Sequence, residues 1–408
     1  MRDVLKQIIE RFGTPCFVYD FDEVRRRTEK LRGAFAGNFK ISYAIKANPS
    51  GAILTRMRSC VDQLDISSGG ELRIARQNGW EAGLCSFTGP GKRDAELEAA
   101  VKAGVGLVVV ESAAEARRLS RLAASRRRRQ AILVRIAPAK VPAGFGSRMA
   151  GKPSQFGIDE EDADEALRQI RPLEGVELCG FHVYSGTQCL SAAAIAENYL
   201  NCIALFGRLA GEHDLHPKHL VFGSGLGIPY HENETALDVA SIGAKANSAL
   251  AGLLAEKRFE KAELILETGR YLVGEAGVYL TRIVSAKRSR GAEIRICDGG
   301  MNHHLGACGH LGSVLHRNYR MFKVGAEDLA AEKMGVFDLF GPLCTSIDNL
   351  AHGIKLPPLE VGDVIGIHCS GAYGLTASPG RFISHEPPRE ILLETVDGVR
   401  GIEDVSGR

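Results

Sequence analysis

The strongest constraint on the fold is a repeated alternation between residues 40 and 270. Short runs rich in β-branched and aromatic residues alternate there with longer segments of helical periodicity. Eight runs predict strands, at residues 40–47, 63–67, 84–88, 107–111, 131–137, 177–184, 220–223 and 264–267. Such alternation is typical of parallel strands joined by helices, and eight units close a (β/α)8 TIM-like barrel.

Beyond residue 271 the pattern changes to strand-like runs separated by turns, for example 293–297, 364–369 and 390–394. This predicts a second, mostly β domain, which a strand at 16–19 joins from the N-terminal side. The expected division is a barrel at 21–270 and a β-rich domain made of 1–20 and 271–408. The length of 408 residues also favours two domains.

Composition excludes several classes of function. A formal net charge of +2 gives no argument for binding nucleic acid or an anionic membrane, and the one basic run, Arg126 to Arg129, is interpreted as a solvated loop. Ten cysteines without a Cys-x-x-Cys pair indicate reduced thiols and a cytoplasmic protein. We expect no signal peptide and no membrane span. We also expect no metal site, since the adjacent His303 and His304 point in different directions.

Lys46 closes the first predicted strand within Tyr43-Ala44-Ile45-Lys46-Ala47-Asn48-Pro49. A lone lysine at a strand end is usually solvated, but barrel enzymes carry their chemistry at these ends. Four further motifs accompany it: Gly223-Ser224-Gly225-Leu226-Gly227, Glu267-Thr268-Gly269-Arg270, Cys344-Thr345-Ser346-Ile347-Asp348 and Gly371-Ala372-Tyr373. Together they predict a site for an aldehyde cofactor that carries a phosphate.

Gly223, Gly225 and Gly227 allow backbone N–H groups to converge on a phosphate, and a helix starting after them would add its dipole. A plain tight turn is the alternative. Arg270 can add a charge-assisted contact and Tyr373 a hydroxyl to the same group.

Glu267 discriminates between reactions. A carboxylate facing a pyridine nitrogen keeps that nitrogen protonated, which makes the ring an electron sink and favours decarboxylation over racemisation. The alternative for Glu267 is an ion pair with Arg270.

These motifs resemble the fold-type III pyridoxal-phosphate decarboxylases, of the alanine racemase/decarboxylase type, over residues 13–393. The resemblance implies that Lys46 attaches the cofactor, and that the glycine loop with Glu267, Gly269 and Arg270 holds its phosphate and ring nitrogen. It implies a homodimer in which Cys344 and Asp348 reach the neighbouring subunit's site, with Cys344 protonating the reacting carbon.

Three further positions match the family near the cofactor. Asp65 and Arg135 correspond to positions near the lysine and the ring hydroxyl, with structural hydrogen bonding as the alternative. The family's His-x-His-x-Gly-Ser pattern reads His182-Val183-Tyr184-Ser185-Gly186-Thr187 here. Tyr184 is therefore expected to stack on the cofactor, and His182 to lie behind it or in the core.

Two departures concern the substrate. Diaminopimelate decarboxylases carry a glutamate after the motif cysteine and an Arg-Pro element after Asp-Gly-Gly-Met; here Thr345 and the segment 302–309 stand instead. Missing anchors disfavour diaminopimelate. Gly306, Ala307 and Gly309 are compatible with an open mouth, or with a plain tight loop. The predicted substrate contacts are Arg270, Thr345, Asp348 and Tyr373.

The segment Gly-Gly-Met-Asn-His-His-Leu resembles a subgroup serving natural-product, siderophore or exopolysaccharide pathways, one type of which acts on glutamate linked to an acyl carrier protein. We therefore expect α-decarboxylation of a carrier-linked or conjugated amino acid. The alternatives are a diaminopimelate decarboxylase, a racemase, and a non-catalytic pyridoxal-phosphate-binding protein. The β domain and the Cys-x-x-x-Asp element weigh against the last.

Overall fold

The structure, a computed structural model, describes residues 2–311, 317–326 and 334–407. The chain divides into two compact units. One consists of Arg27–Gly227 and Ala236–Gly269, and the other of Met1–Arg26, Ile228–Thr235 and Arg270–Arg408.

The first unit contains a closed barrel of eight parallel strands. Each strand pairs with its neighbours in parallel, β12 returns to β2, and β5 pairs with β6, so the sheet has no free edge. This confirms the predicted (β/α)8 barrel. The strands are β2 Phe39–Ala44, β3 Gln63–Ile66, β4 Cys85–Phe87, β5 Leu107–Val110, β6 Gln130–Ala137, β9 Val176–Val183, β11 His219–Gly223 and β12 Glu263–Thr268.

The barrel strands are almost continuously apolar because both of their faces are covered. Leu107 to Val110 of β5 are all buried, and the barrel interior includes Leu133, Val221 and Ile265. Three short strands lie outside the eight: β7 Ser147–Arg148, β8 Ile158–Asp159 and β10 Gly186–Thr187. β7 pairs with β10, and β8 pairs in parallel with the last two residues of β6.

Helices alternate with the barrel strands, and three of them begin with a serine cap, at Ser68, Ser112 and Ser191. Ser68 and Ser112 accept hydrogen bonds from the N–H groups of Glu71 and Glu115, each at 3.1 Å. The α-helices in the described parts of the chain are α1 Arg2–Phe12, α2 Phe21–Ala34, α3 Gly51–Met57, α4 Gly69–Gln77, α5 Asp94–Ala103, α6 Ala113–Ser125, α7 Ala163–Ile170, α8 Ala192–Glu212, α9 Val239–Ala255 and α10 Arg270–Val273. None of those we describe has the length and apolarity needed to cross a membrane.

The second unit is mostly β, and the N-terminal strand pairs within its sheet. β1 pairs antiparallel with β13 and parallel with β19, and Leu5 and Ile8 of α1 pack on the sheet with Val18. The strands are β1 Cys16–Asp20, β13 Gly277–Ser289, β14 Ala292–Cys297, β15 Met321–Lys323, β16 Gly335–Phe340, β17 Asn349–Leu356, β18 Val364–Ile367, β19 Arg389–Val396 and β20 Val399–Asp404.

Candidate active site

Lys46 lies just beyond the carboxyl end of β2. The strand ends at Ala44, three residues earlier than the sequence predicts, and Lys46 occupies a single 3-10 turn, Ile45–Ala47. Gly269 permits this turn to pack on the end of β12, because a Cβ there would come within 2.8 Å of the Ala47 Cβ. The Lys46 side chain is 38% exposed, so its amine is reachable from solvent.

Two buried carboxylates flank the Lys46 amine. Its Nζ lies 3.3 Å from Asp65 Oδ2 and 3.6 Å from Glu267 Oε1. The other oxygen of Asp65 accepts a 2.6 Å hydrogen bond from the Thr88 hydroxyl. Burial raises the pKa of Asp65, and the charge of Glu267 raises it further. One ammonium cannot balance two buried anions, so Asp65 is the carboxyl group that tends to keep a proton.

Glu267 has the opposite tendency. Burial alone would raise its pKa, but the charge of Lys46 and a hydrogen bond from His182 outweigh this and hold the pKa below its usual range. His182 Nε2 lies 2.9 Å from Glu267 Oε2. Glu267 is therefore ionised and has its orientation fixed.

His182 was expected to lie behind the cofactor contact or in the core, and the structure buries it against Glu267. Burial lowers the pKa of His182, so we assign a neutral ring whose Nε2–H donates to Glu267. Its Nδ1 is buried and has no hydrogen-bond partner in the described parts of the chain. Tyr184 directly follows the last residue of β9, and the two-residue period of a strand predicts that His182 and Tyr184 lie on the same side.

Tyr184 packs on the first glycine of the glycine-rich loop. A Cβ at Gly223 would lie 2.4 Å from Tyr184 Cδ2, so only glycine admits the ring there. The Lys46 Nζ is 5.9 Å from the centroid of the Tyr184 ring. The structure thus brings Tyr184, Lys46 and Gly223 together at one end of the barrel.

The other two loop glycines are also required by packing within the chain. Gly225 has φ +67°, and a Cβ there would lie 2.6 Å from Phe145 Cε1. A Cβ at Gly227 would lie 2.8 Å from the Cys189 carbonyl oxygen. The prediction that a helix starts directly after the glycine loop is wrong, because residues 228–238 form a turn and irregular chain and α9 begins only at Val239.

Arg135 is held by a buried carboxylate. Its Nη1 donates to both oxygens of Glu111 at 3.1 Å, and Glu111 also accepts the N–H groups of Gly89 and Gly157. The Arg135 charge helps to lower the pKa of Glu267. The structure therefore supports the alternative of structural bonding for Arg135, and its contact with the cofactor stays a prediction.

Arg270 belongs to the second unit and lies among tyrosines. Its Nη1 donates to the Tyr230 hydroxyl at 2.6 Å, and its guanidinium lies 4.7 Å from the Tyr373 ring centroid. Nε of Arg270 is buried without a hydrogen-bond partner, and within the described residues no carboxylate pairs with Arg270. A cation held without a counter-ion suits an incoming anion such as a phosphate.

The Cys344–Asp348 motif forms a loop that exposes its cysteine. Asp348 is buried, and its two oxygens accept the N–H groups of Met301 at 2.6 Å and Leu343 at 2.8 Å. Burial raises the pKa of Asp348. These contacts fix the loop that presents Cys344 to solvent, whereas the substrate contacts of Asp348 and Thr345 stay predictions.

The segment 302–309 is tightly packed. Of the two alternatives for its small residues, the structure therefore favours a tight loop over an open mouth. His303 Nδ1 lies 3.0 Å from the Tyr279 hydroxyl, and His304 Nε2 lies 2.9 Å from the Ser370 hydroxyl. Burial lowers the pKa of His303 to about 4 and that of His304 to about 3, so both rings are neutral. In the residues that the structure describes, no cluster of three or more potential metal ligands occurs.

The barrel-end residues fit a pyridoxal cofactor. Lys46 offers an accessible amine for the aldehyde, Glu267 an ionised carboxylate for the ring nitrogen, and His182 a buried Nδ1 that lacks a partner. A closed (β/α)8 barrel with this set at the carboxyl ends of its strands, followed by a β-rich unit, defines a class of pyridoxal-phosphate enzymes.

Comparison with known proteins agrees. Residues 21–274 match the family described as "Pyridoxal-dependent decarboxylase, pyridoxal binding domain". The chain is 33% identical over 386 residues to L-glutamyl-[BtrI acyl-carrier protein] decarboxylase of Niallia circulans, covering 94% of this chain and 90% of that protein. It is 31% identical over 409 residues to diaminopimelate decarboxylase of Methanothermobacter thermautotrophicus, covering 98% and 92%.

Among solved structures, diaminopimelate decarboxylase of Helicobacter pylori complexed with L-lysine superposes with a TM-score of 0.84 at 26% identity, covering 98% of this chain and 95% of that one. The protein belongs to the pyridoxal-dependent decarboxylases. The predicted cofactor, pyridoxal phosphate, and the predicted activity, amino-acid decarboxylation, are confirmed by this membership. The non-catalytic alternative is excluded.

Proposed function

We propose that this protein removes the α-carboxylate of an amino acid that is tethered to an acyl carrier protein or to another conjugate, in a biosynthetic pathway of the cytoplasm. The observation that carries the proposal is the segment 302–309. Asn302, His303 and His304 are buried in their own hydrogen bonds, and both histidines are neutral. The segment therefore offers no cation for a free distal carboxylate, and a substrate whose distal carboxyl is esterified needs none.

The relative from Niallia circulans supports the same substrate class, because its name specifies a glutamyl group on a carrier protein. In such a substrate the α-amino and α-carboxyl groups are free while the far end is a neutral thioester. Thr345, uncharged and half-buried, stands where a charged anchor would recognise a distal ammonium. The lost charges remove discrimination against a neutral far end.

The residues at the barrel end perform the proposed chemistry as follows. When bound, pyridoxal phosphate supplies a ring that holds the electron pair left on the α-carbon as carbon dioxide departs. Glu267, ionised and oriented by His182, would hold the ring nitrogen in its protonated form. Lys46 would hold the cofactor through its aldehyde group, and Asp65, whose pKa is raised, would accept or return a proton at the Lys46 Nζ.

We further propose a homodimer in which Cys344 of one subunit donates the proton that replaces the carboxylate in its neighbour's site. Exposure of Cys344 on a loop fixed by Asp348 supports this role. Arg270 and Tyr373 are proposed to bind the cofactor phosphate and the substrate, with Gly223, Gly225, Gly227 and Gly269 shaping the loops of the barrel end.

The second candidate is diaminopimelate decarboxylase. It is favoured by the relative from Methanothermobacter thermautotrophicus, which matches 98% of this chain. The two candidates differ in the charge of the distal group and are separated by one assay.

The test measures carbon dioxide release from glutamyl carrier protein, free glutamate, citrate-conjugated amino acids and meso-diaminopimelate. We expect kcat/KM for a carrier-linked or conjugated substrate to exceed that for its free amino acid about 100-fold, the discrimination that several lost contacts supply. Rapid turnover of meso-diaminopimelate, together with no turnover of the tethered substrates, would establish the second candidate instead.

A further inference from the structure

The loop between β6 and β8, residues 138–157, is here called the basic loop. It contains three cationic residues, Lys140, Arg148 and Lys152, and no aspartate or glutamate. All three side chains are exposed. None of them forms an ion pair with another residue that the structure describes. The residues of the loop therefore carry a formal charge of +3. One carboxylate from outside the loop contacts it, since Glu160 Oε2 accepts a hydrogen bond from the Ala139 N–H at 3.0 Å.

The cations are gathered because the loop folds back on itself. A Cβ at Gly151 would lie 3.3 Å from the Ala139 carbonyl oxygen and 3.5 Å from Val141 Cγ2. This contact places Gly151, the residue before Lys152, beside Ala139 and Val141, the residues on either side of Lys140. Arg148 lies in β7, where its backbone pairs with that of Gly186 in β10.

Three contacts fasten the basic loop to residues of the candidate active site. The Phe145 ring fills the space beside Gly225, and the Met149 N–H donates to the Ser185 carbonyl at 2.9 Å, next to Tyr184. The Arg135 guanidinium lies 4.8 Å from the centroid of the Phe156 ring. Whatever binds the basic loop is thereby held at the end of the barrel where Lys46 lies.

The other basic run of the chain differs in its partners. Arg126 pairs with Glu98, and Arg128 and Arg129 donate to the carbonyl groups of Val101 and Val176. This run precedes β6 and so lies at the opposite end of the barrel. Its side chains hold helix ends and strands together. Those of Lys140, Arg148 and Lys152 have no such partners among residues 2–311, 317–326 and 334–407, and they project a positive potential into solvent.

We propose that the basic loop is the docking surface for the acidic face of the carrier protein that presents the tethered substrate. This inference rests on the proposed function, since a carrier-linked substrate brings a carrier protein to the barrel mouth in addition to the neighbouring subunit. Opposite charges across the surface would steer the carrier and set its orientation, and the effect would weaken with added salt.

The test compares two triple variants. Lys140→Glu, Arg148→Glu and Lys152→Glu together reverse the charge of the basic loop. Lys102→Glu, Arg121→Glu and Lys257→Glu make the same change in charge at exposed positions before β5, β6 and β12, at the opposite end of the barrel. Each is assayed with glutamyl acyl carrier protein and with the glutamyl thioester of pantetheine, which lacks the protein.

We expect the ratio of KM for the carrier substrate to KM for the pantetheine substrate to rise about tenfold or more in the basic-loop variant and to stay unchanged in the control. In the unaltered protein, raising salt from about 0.05 to about 0.5 M should raise the same ratio. This salt measurement tests the inference without any substitution, so it holds even if a variant fails to fold.

An unchanged KM ratio in the basic-loop variant, or no salt effect, would overturn the docking surface while the proposed function stands. Failure of the unaltered protein to release carbon dioxide from either thioester would instead overturn the proposed function. Inhibition by a nucleic acid oligomer, without inhibition by the unloaded carrier, would assign the basic loop to a different polyanion and also overturn the inference.

Discussion

At the scale of single residues, the central feature is an amine shared by two buried carboxylates with opposite tendencies. Glu267 is kept ionised by Lys46 and His182, and Asp65 is driven toward its protonated form. The sequence motifs name Lys46 and Glu267, but only the folded barrel brings β2, β3 and β12 together so that three charges compete.

The raised pKa of Asp65 has a consequence for stability. Between the ordinary pKa of an aspartate and the raised value, the folded state binds more protons than the unfolded state, so stability falls as pH rises. Asp65→Asn cannot lose a proton. As pH rises through that interval, we expect the free energy of unfolding of this variant, relative to that of the natural protein, to increase by up to about 1.4 kcal/mol per pH unit. Denaturant titrations of both proteins from pH 5 to 8 measure this difference.

Asp404→Asn is the control for Asp65→Asn. Hydrogen bonds from Ser406 hold the pKa of Asp404 below its usual range, so this group is ionised in both states from pH 5 to 8. Its replacement leaves the pH slope unchanged over that range. If Asp65→Asn also leaves the slope unchanged, the raised pKa of Asp65 is wrong.

At the scale of elements, the helices α9 and α2 approach each other closely at one glycine. Gly243 of α9 lies against the end of α2, where a Cβ would come within 1.9 Å of the Ala34 carbonyl oxygen. Asn247, one turn further along α9, donates to the same oxygen at 3.1 Å. The contact of Gly243 with Ala34 is between the backbones of the two helices, and the helical periodicity of the sequence does not predict it.

Two glycine substitutions in α9 test this close approach. Gly243→Ala should lower the free energy of unfolding by about 2 kcal/mol or more, because the backbone of α2 must move away. Gly252→Ala, in the same helix with nothing within 4 Å of its would-be Cβ, should raise it by about 0.5 to 1 kcal/mol through helix propensity. Thermal or denaturant unfolding measures both, and equal effects would contradict the predicted contact.

Predicted and observed strands agree closely, because four to eight apolar residues between turn signals leave few other choices. The disagreements have local causes. β2 ends at Ala44 since the chain turns at Ile45–Ala47, and the helix expected after the glycine loop is replaced by residues 228–238 before α9. Neither the single turn at Ile45–Ala47 nor the irregular connection at 228–238 is long and regular enough to show a periodic pattern of apolar residues in the sequence.

At the scale of the whole molecule, the proposed homodimer makes a prediction about mixed subunits. Lys46→Ala and Cys344→Ala should each abolish most activity, since each damages both sites of its own dimer. When the two variants are unfolded, mixed equally and refolded, about half of the dimers are mixed, and each has one intact site. Carbon dioxide release should therefore recover to about a quarter of the natural rate.

The control mixes Lys46→Ala with Glu267→Gln. Both residues lie in the same barrel, so no pairing of these two chains restores a site, and activity should stay at the level of the separate variants. Recovery in this control, or its absence in the first mixture, would contradict a site shared between subunits.

The sequence by itself determined the eight-unit barrel, the β-rich second unit, the lysine and its motif partners, and from these the family. These features are local: periodicity, spacing and motif each depend on a few neighbouring residues. Only the tertiary structure decided that His182 holds Glu267, that Glu111 holds Arg135, and that the basic loop is fastened beside Tyr184. Each of these contacts joins strand ends far apart in the chain, and barrel closure is what brings them together.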